Sequence, residues 1–345
     1  MTFRQLMARF GTAQEALDAL PSLAGRAGRR RRLAIPSASD AAGEVEALDA
    51  YGGRMLHLGD RDYPSLLAAT EDAPPVLTIM GRGDLLNRPT MAIVGSRNAS
   101  TNGKRMAAQF ASEIGRTGYC IASGMAMGID TAAHHGSIET GTVAVLAGGI
   151  DVVYPRENKD LYRALAERGT IVAEMPFGTV GQARHFPRRN RIISGLASAV
   201  LIVEATLRSG SLITARLAAD QGRDVYAIPG SPLDPRARGG NDLIRKGAAL
   251  IETPEEIIAA LDQQLSAPRS DYAVTFPTPR QLVPIDDGNA LRQRLLTALG
   301  PTAVAVDDLI ADLETDAASV SSLLLELELA GTVERRSGGK IARIA

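Results

Sequence analysis

The sequence predicts an α/β chain built on a doubly wound parallel sheet, with a small helical domain before it and a winged-helix domain after it. Three observations carry that expectation. From Met91 onward, short β-branched runs alternate with helix-length amphipathic stretches, the signature of consecutive βαβ units. Most of those runs are apolar throughout, as strands covered by helices on both faces require. Beyond residue 286 the pattern changes to three amphipathic stretches followed by a glycine-centred hairpin.

Residues 1–54 read as the helical domain, with amphipathic stretches at 3–10 and 13–20 joined at Gly11. The basic run Arg29 to Arg32 follows, and a solvated loop or helix face explains it better than a phosphate site does. Residues 55–266 form the sheet domain, with strands at 91–94, 119–122, 143–146, 171–174, 200–203, 225–228 and 250–251. Residues 104–114, 159–167, 212–220 and 254–265 carry apolar residues at helical spacing between them. Right-handed crossovers then make all seven strands parallel. Residues 267–286 mix Pro, Ser, Asp and Thr without periodicity and read as a linker. In residues 287–345, helices at 291–299, 306–313 and 317–329 precede a hairpin at 332–344.

A chain of 345 residues with a formal net charge of -1 does not coat a polyanion by bulk attraction, so any nucleic-acid site must be a local basic patch. The single cysteine, Cys120, excludes a disulfide framework and lies in an apolar run, so it reads as core. There is no signal-like N-terminus and no run of about 18 apolar residues. A cytoplasmic protein without membrane insertion is expected.

Ligands of an open parallel sheet bind beyond the carboxyl ends of its strands, so the strand-end loops are the places to look. The first is Gly95-Ser96-Arg97, which combines close backbone approach, a hydroxyl and a planar fork of donors for phosphate oxygens. The amides of the next helix are expected to add to it. It is not an ATP loop, because Asn98 stands where a first Gly is needed and Arg105 where a magnesium-binding Ser or Thr is needed. The second loop begins Ser123-Gly124 and runs to Asp130, which is expected to cap the following helix. His134 and His135 on that helix lack a metal-ligand pattern and read as structural. The third leads through Gly148-Gly149 to Tyr154-Pro155-Arg156.

After the fourth strand, Arg184, His185, Arg188, Arg189 and Arg191 surround Phe186 and Asn190 within eight residues. Arginines neutralising successive phosphates beside an aromatic that stacks on a base suit single-stranded nucleic acid. This segment is expected to be a loop. After the fifth strand, Ser209-Gly210-Ser211 offers another anion-friendly helix start. No Ser, His and carboxylate arrangement forms a recognisable nucleophile with its base, so binding is favoured over catalysis, with neither metal nor cofactor.

Together these motifs resemble the bacterial DNA-processing protein A family, also called Smf. The resemblance runs in order over about residues 55 to 255. It starts at Tyr63-Pro64, Pro74-Pro75-Val76-Leu77, Val94-Gly95-Ser96-Arg97, Ser123-Gly124 to Asp130, and Tyr154-Pro155. It continues at Phe186-Pro187 with Arg189-Asn190-Arg191, Glu204-Ala205 with Ser209-Gly210-Ser211, Pro229-Gly230, and Asn241-Asp242-Leu243-Ile244 with Gly247-Ala248. It implies an extended Rossmann-like domain and a non-enzymatic, homodimeric protein. Such a protein binds and protects single-stranded DNA and helps load the RecA recombinase during natural transformation. Arg97 carries over as a DNA contact, and Arg156 and Phe186 resemble further ones.

Two features depart from that family. The N-terminal region resembles its sterile-alpha-motif-like domain but is expected to lack that domain's first helix. The winged helix carries seven acidic residues and no Lys or Arg between Thr302 and Gly331, which repels DNA and favours a protein partner over DNA contact through Arg335, Arg336 and Lys340. Two rival readings remain. A nucleotide hydrolase resembling the lysine-decarboxylase-like phosphoribohydrolases lacks its Pro-Gly-Gly-x-Gly-Thr motif here, with Glu204 to Ser211 the nearest counterpart. A duplex-reading regulator conflicts with the acidic winged helix.

Overall fold

The computed structural model describes residues 2–26, 35–266, 288–313, 315–336 and 339–344. The basic run 29–32 and the linker 267–286 lie outside them. The chain divides into two compact units, Ala38–Val274 on one side and Met1–Ser37 with Thr275–Ala345 on the other.

Helices α1 (Thr2–Phe10) and α2 (Ala13–Arg26) open the chain and belong to the second unit. The sheet unit starts with α3 (Ala38–Tyr51), β1 (Gly53–His57), the single turn α4 (Ser65–Ala68) and β2 (Val76–Gly81). Next come β3 (Thr90–Val94), α5 (Thr101–Arg116), β4 (Cys120–Ser123), α6 (Ile129–Ser137), β5 (Thr142–Leu146), α7 (Lys159–Arg168) and β6 (Thr170–Ala173). The unit closes with α8 (His185–Leu196), β7 (Ala199–Ile202), α9 (Ser211–Asp220), β8 (Asp224–Ala227), α10 (Arg238–Arg245), β9 (Ala249–Leu250) and α11 (Pro254–Ser266).

The strands form one sheet in the order β1-β2-β6-β5-β4-β3-β7-β8-β9. The seven expected strands pair in parallel throughout. The chain winds outward from β3 to β6 and then returns to β7 on the other side of β3. That reversal places a crevice beyond the ends of β3 and β7, where ligands of such sheets bind. Alternate side chains of each strand enter opposite cores. Ala92 and Val94 pack with Ile192, Ile193 and Leu196 of α8, whereas Met91 and Ile93 pack with Phe110 and Ile114 of α5 and Ile129 of α6. Cys120 is core, and burial pushes its thiol pKa up to about 12.

Three features correct the sequence reading. Two antiparallel strands extend the sheet, with Thr78 of β2 opposite Ala173 of β6 and Met55 of β1 opposite Thr78. β1 buries Leu56 alone and so shows no apolar run, whereas β2 buries Leu77 to Met80 but its apolar residues are interrupted by Thr78 and follow directly on Pro74-Pro75. Helix α3, expected within a separate N-terminal domain, packs on the sheet. Leu48 is fully buried with Met80, Tyr162 and Leu165, and the Glu44 carboxylate accepts a 3.1 Å hydrogen bond from the amide of Phe177. Finally, the arginine-rich segment expected as a loop is helix α8. Pro187 falls in its first turn, where proline is tolerated.

In the second unit, α12 (Gly288–Ala298), β10 (Val304–Ala305), α13 (Val306–Asp312), α14 (Ala317–Leu329), β11 (Val333–Arg336) and β12 (Lys340–Arg343) make the expected winged helix. Its small antiparallel sheet has the order β10-β12-β11, and Leu295, Leu309, Leu324 and Ile341 fill its core. The first-helix segment joins it through Arg9, whose Nη1 donates to Ser322 Oγ at 3.3 Å. Arg335 of the hairpin lies beside Glu328, Nε to Oε2 3.4 Å, so it is engaged within the protein. Among the described residues, no helix is long and apolar enough to cross a membrane.

Candidate nucleic-acid interface

The loop after β3 is fastened to the loop after β7. The amide of Ser96 donates to the carbonyl of Glu204 at 2.6 Å, and the carbonyl of Ser96 accepts from the amide of Ile129 at 3.2 Å. A Cβ on Gly95 would stand 2.7 Å from Ile129 Cγ1 and 2.8 Å from the Glu204 carbonyl oxygen. Packing of the protein against itself therefore requires this glycine. Ser96 is buried under the same contacts, and Arg97 emerges exposed above them.

The expected contribution of the α5 amides is corrected by Glu204. Its carboxylate accepts from Ser100 Oγ at 2.5 Å and from the Ser100 amide at 2.9 Å, while Ser100 Oγ caps the helix by accepting from the Gly103 amide. The protein's own anion thus occupies this positive helix end. Glu204→Gln keeps the shape and removes the charge, and it is expected to lower stability by about 1 kcal/mol in urea denaturation. A variant as stable as the parent would show that the cap is not electrostatic.

Helix α8 sorts its arginines by direction. Arg188 is exposed at 3.6 Å from Glu174. Arg191 is committed to structure, with Nη2 2.5 Å from Glu174 Oε1 and Nη1 donating to the carbonyl of Asp72 at 2.6 Å. Arg189 is only 6% exposed. Its Nη1 donates to the carbonyl of Gly124 at 2.6 Å and to that of Val145, and its Nε donates to Asn190 Oδ1 at 3.2 Å. Asn190, also buried, passes the connection on through Nδ2 to the carbonyl of Gly210 at 3.3 Å. One helix thereby braces the ends of β4 and β5 and the start of α9. Gly124 is needed because a Cβ there would stand 2.6 Å from Arg189 Nη1.

Asp130 is buried close by, and the expectation that it caps α6 fails because Gly128 holds the cap position. Desolvation raises the Asp130 pKa, with Arg189 opposing that rise. Desolvation also lowers Arg189, to about 10, so it stays cationic at neutral pH. Ser123 Oγ donates to the carbonyl of Ile93 at 2.7 Å and lies wholly inside. His134 is buried, with Nδ1 2.7 Å from Thr142 Oγ1, and burial lowers its pKa to about 3, so it is neutral.

Above this braced floor lies a pocket of about 160 Å³ lined by Arg97, Gly124, Tyr154, Phe186 and Arg189, among others. The Arg97 guanidinium carbon sits 4.8 Å from the centre of the Phe186 ring, a cation–π contact. Tyr154 packs against the same ring at 5.6 Å between centroids, tilted by 60°. Phe186 is therefore a shelf for Arg97 and a pocket wall, half-buried rather than freely exposed. Arg156 is exposed immediately after Tyr154-Pro155, and Arg184 is exposed two residues before Phe186. Ser209 and Ser211 bond to each other, Oγ to Oγ 2.7 Å, at the start of α9 beside the exposed Gly210.

Of the expected site residues, the structure gathers Arg97, Gly124, Phe186 and Arg189 around one pocket. It turns Ser123, Asn190 and Arg191 to internal bonding. The wall formed by Tyr154 was missed as a site residue, although an aromatic after the Gly148-Gly149 loop is a readable signal.

A family model described as "DNA recombination-mediator protein A" matches residues 54–262, with "DprA winged helix domain" at 278–339 and "DprA-like N-terminal HHH domain" at 1–47. Protein Smf of Escherichia coli is 37% identical over 294 residues, covering 81% of this chain and 74% of that protein. The structure of DNA processing protein A from Streptococcus pneumoniae aligns with a TM-score of 0.65 at 34% identity, over 74% of this chain and 92% of the other. DNA processing protein A from Helicobacter pylori, whose structure is described as giving insight into a unique single-stranded DNA binding mode, aligns with a TM-score of 0.56 at 27% identity. That match covers 61% of this chain and 96% of the other.

Proposed function

The chain belongs to the DNA recombination-mediator protein A (DprA/Smf) family, and from that premise we propose that it is a DNA-processing protein that binds single strands without sequence-specific readout. The observation that supports this most is the Arg97 guanidinium held on the Phe186 ring at the mouth of a pocket beyond the strand ends. A cation fixed on an aromatic shelf presents a phosphate contact beside a flat apolar surface for a base, which a single strand satisfies and a closed duplex does not. Arg156 and Arg184 extend the basic edge, and Gly210, Ser209 and Ser211 border it. The same family membership supports a homodimer that shields incoming strands and helps a RecA recombinase load on them, in the cytoplasm and by binding rather than catalysis.

Arg97→Ala tests the reading. Removing one phosphate contact should reduce the slope of log affinity against log salt by about 0.7 for a single strand. An unchanged slope and affinity would remove Arg97 from the site. Phe186→Ala should weaken binding by about 5- to 100-fold, since it removes an aromatic wall and the support under Arg97 together. Equal binding by that variant, measured by fluorescence anisotropy at fixed salt, would contradict the shelf.

A further inference from the structure

Helix α14 of the winged helix is buried on two sides, and its own domain core accounts for only one of them. α13 and α14 form the helix-turn-helix pair of this fold, whose second helix lies in the major groove when the fold reads a duplex. Val320, Leu323, Leu324 and Leu327 of α14 face the winged-helix core. Leu325 lies outside that cluster and, at 100° per residue, points away from it, yet it is only 3% exposed. The N-terminal hairpin lies on this side. α2 packs against α14, and Arg9 of α1 donates to Ser322 Oγ at 3.3 Å, one turn before Leu325. Ala16 and Leu23, two turns apart on one face of α2, are both buried. Charge matches as well. Residues 1–32 carry seven arginines against Glu15 and Asp18, whereas residues 302–331 carry seven acidic residues and no Lys or Arg. Such a surface repels phosphate and attracts a basic segment.

We propose that the outward face of α14, centred on Ser322 and Leu325, is a docking site for a basic amphipathic helix, and that the chain's own residues 2–26 fill it and so shut the winged helix to duplex DNA and to competing partners. The site goes beyond single-strand binding and shares no residue with the strand-end pocket. The groove-facing side of a duplex reader is here a protein-binding side, with an apolar centre and an acidic surround. Because the occupant is tethered, an added copy of it competes poorly until the tethered one is weakened. Leu23→Asp does this, since docking would then bury an unpaired carboxylate.

The experiment uses the full chain and a fluorescent peptide copying residues 2–26. In anisotropy titrations the peptide should bind the Leu23→Asp chain at least about tenfold more tightly than the parent chain, whose site is already filled. Adding Leu325→Asp to Leu23→Asp should abolish that binding. Leu325 is outside the winged-helix core, so this change leaves the core's own packing in place. Equal binding of the peptide to the parent and Leu23→Asp chains, or binding to neither, would overturn the closed site. Binding retained in the double variant would place the peptide elsewhere and overturn the α14 face. A second measurement needs no disruptive change. In a chain carrying Arg9→Cys and Ser322→Cys, a short bismaleimide should join the two positions within one chain, with the parent, whose one cysteine is buried, as control. A covalent dimer instead would give the site to a second copy and overturn its filling by the chain's own hairpin. No cross-link of either kind would overturn the contact itself.

Discussion

Arg189→Met is expected to destabilise the sheet unit by about 3–5 kcal/mol, the range for removing one member of a buried charged network. Methionine fills similar volume, so the loss reports bonding rather than a cavity. It strands the carbonyls of Gly124 and Val145, which now accept from Nη1, and it leaves Asp130 buried without its compensating cation. The loss should also depend on pH. Burial already raises the Asp130 pKa above its unfolded value, and Arg189 opposes that rise. Without the arginine the folded value climbs further. A raised carboxyl pKa costs stability above the unfolded value and in full above the folded one, so the variant should lose less at pH 5 than at pH 8. Urea denaturation at both pH values measures this, and a loss under about 1 kcal/mol at pH 8 would show that the network carries little.

Gly128→Ala is the second large effect. Gly128 has φ 84° and ψ −118°, a region that L side chains avoid, and a Cβ would lie 2.3 Å from the Ser96 carbonyl oxygen and 2.6 Å from that of Arg97. The conformation alone costs about 1–3 kcal/mol for alanine. The clash is with backbone, so relief requires moving the loop that carries Arg97. Stability and single-strand affinity should therefore fall together. A variant that loses stability but keeps full affinity would show that the Arg97 loop is not seated on Gly128.

The parallel sheet was legible because its strands are buried on both faces, and burial on both faces writes itself as an unbroken apolar run, as in Met91 to Val94. β1 escaped because a strand with one buried side chain leaves no such run, and β2 because Thr78 interrupts its apolar residues directly after two prolines. The site was legible in kind but not in direction. Arg188, Arg189 and Arg191 are neighbours in the sequence, yet helix α8 turns one outward, one to the pocket floor and one to Glu174 and Asp72. A sequence lists three cations there, and only the 100° step between helical neighbours assigns them. The neutralised start of α5 was hidden for a related reason. Glu204 and Ser100 are 104 residues apart and meet only because β3 and β7 are neighbours in the sheet.

The central claim is that the braced pocket and its Arg97 shelf suit a single strand. The most direct measurement is equilibrium binding of the intact chain to a single strand and to the duplex of the same sequence, without ATP or divalent metal, at several salt concentrations. The account predicts preference for the single strand at every salt concentration, with affinity falling steeply as salt rises. Equal affinity for both forms would contradict it.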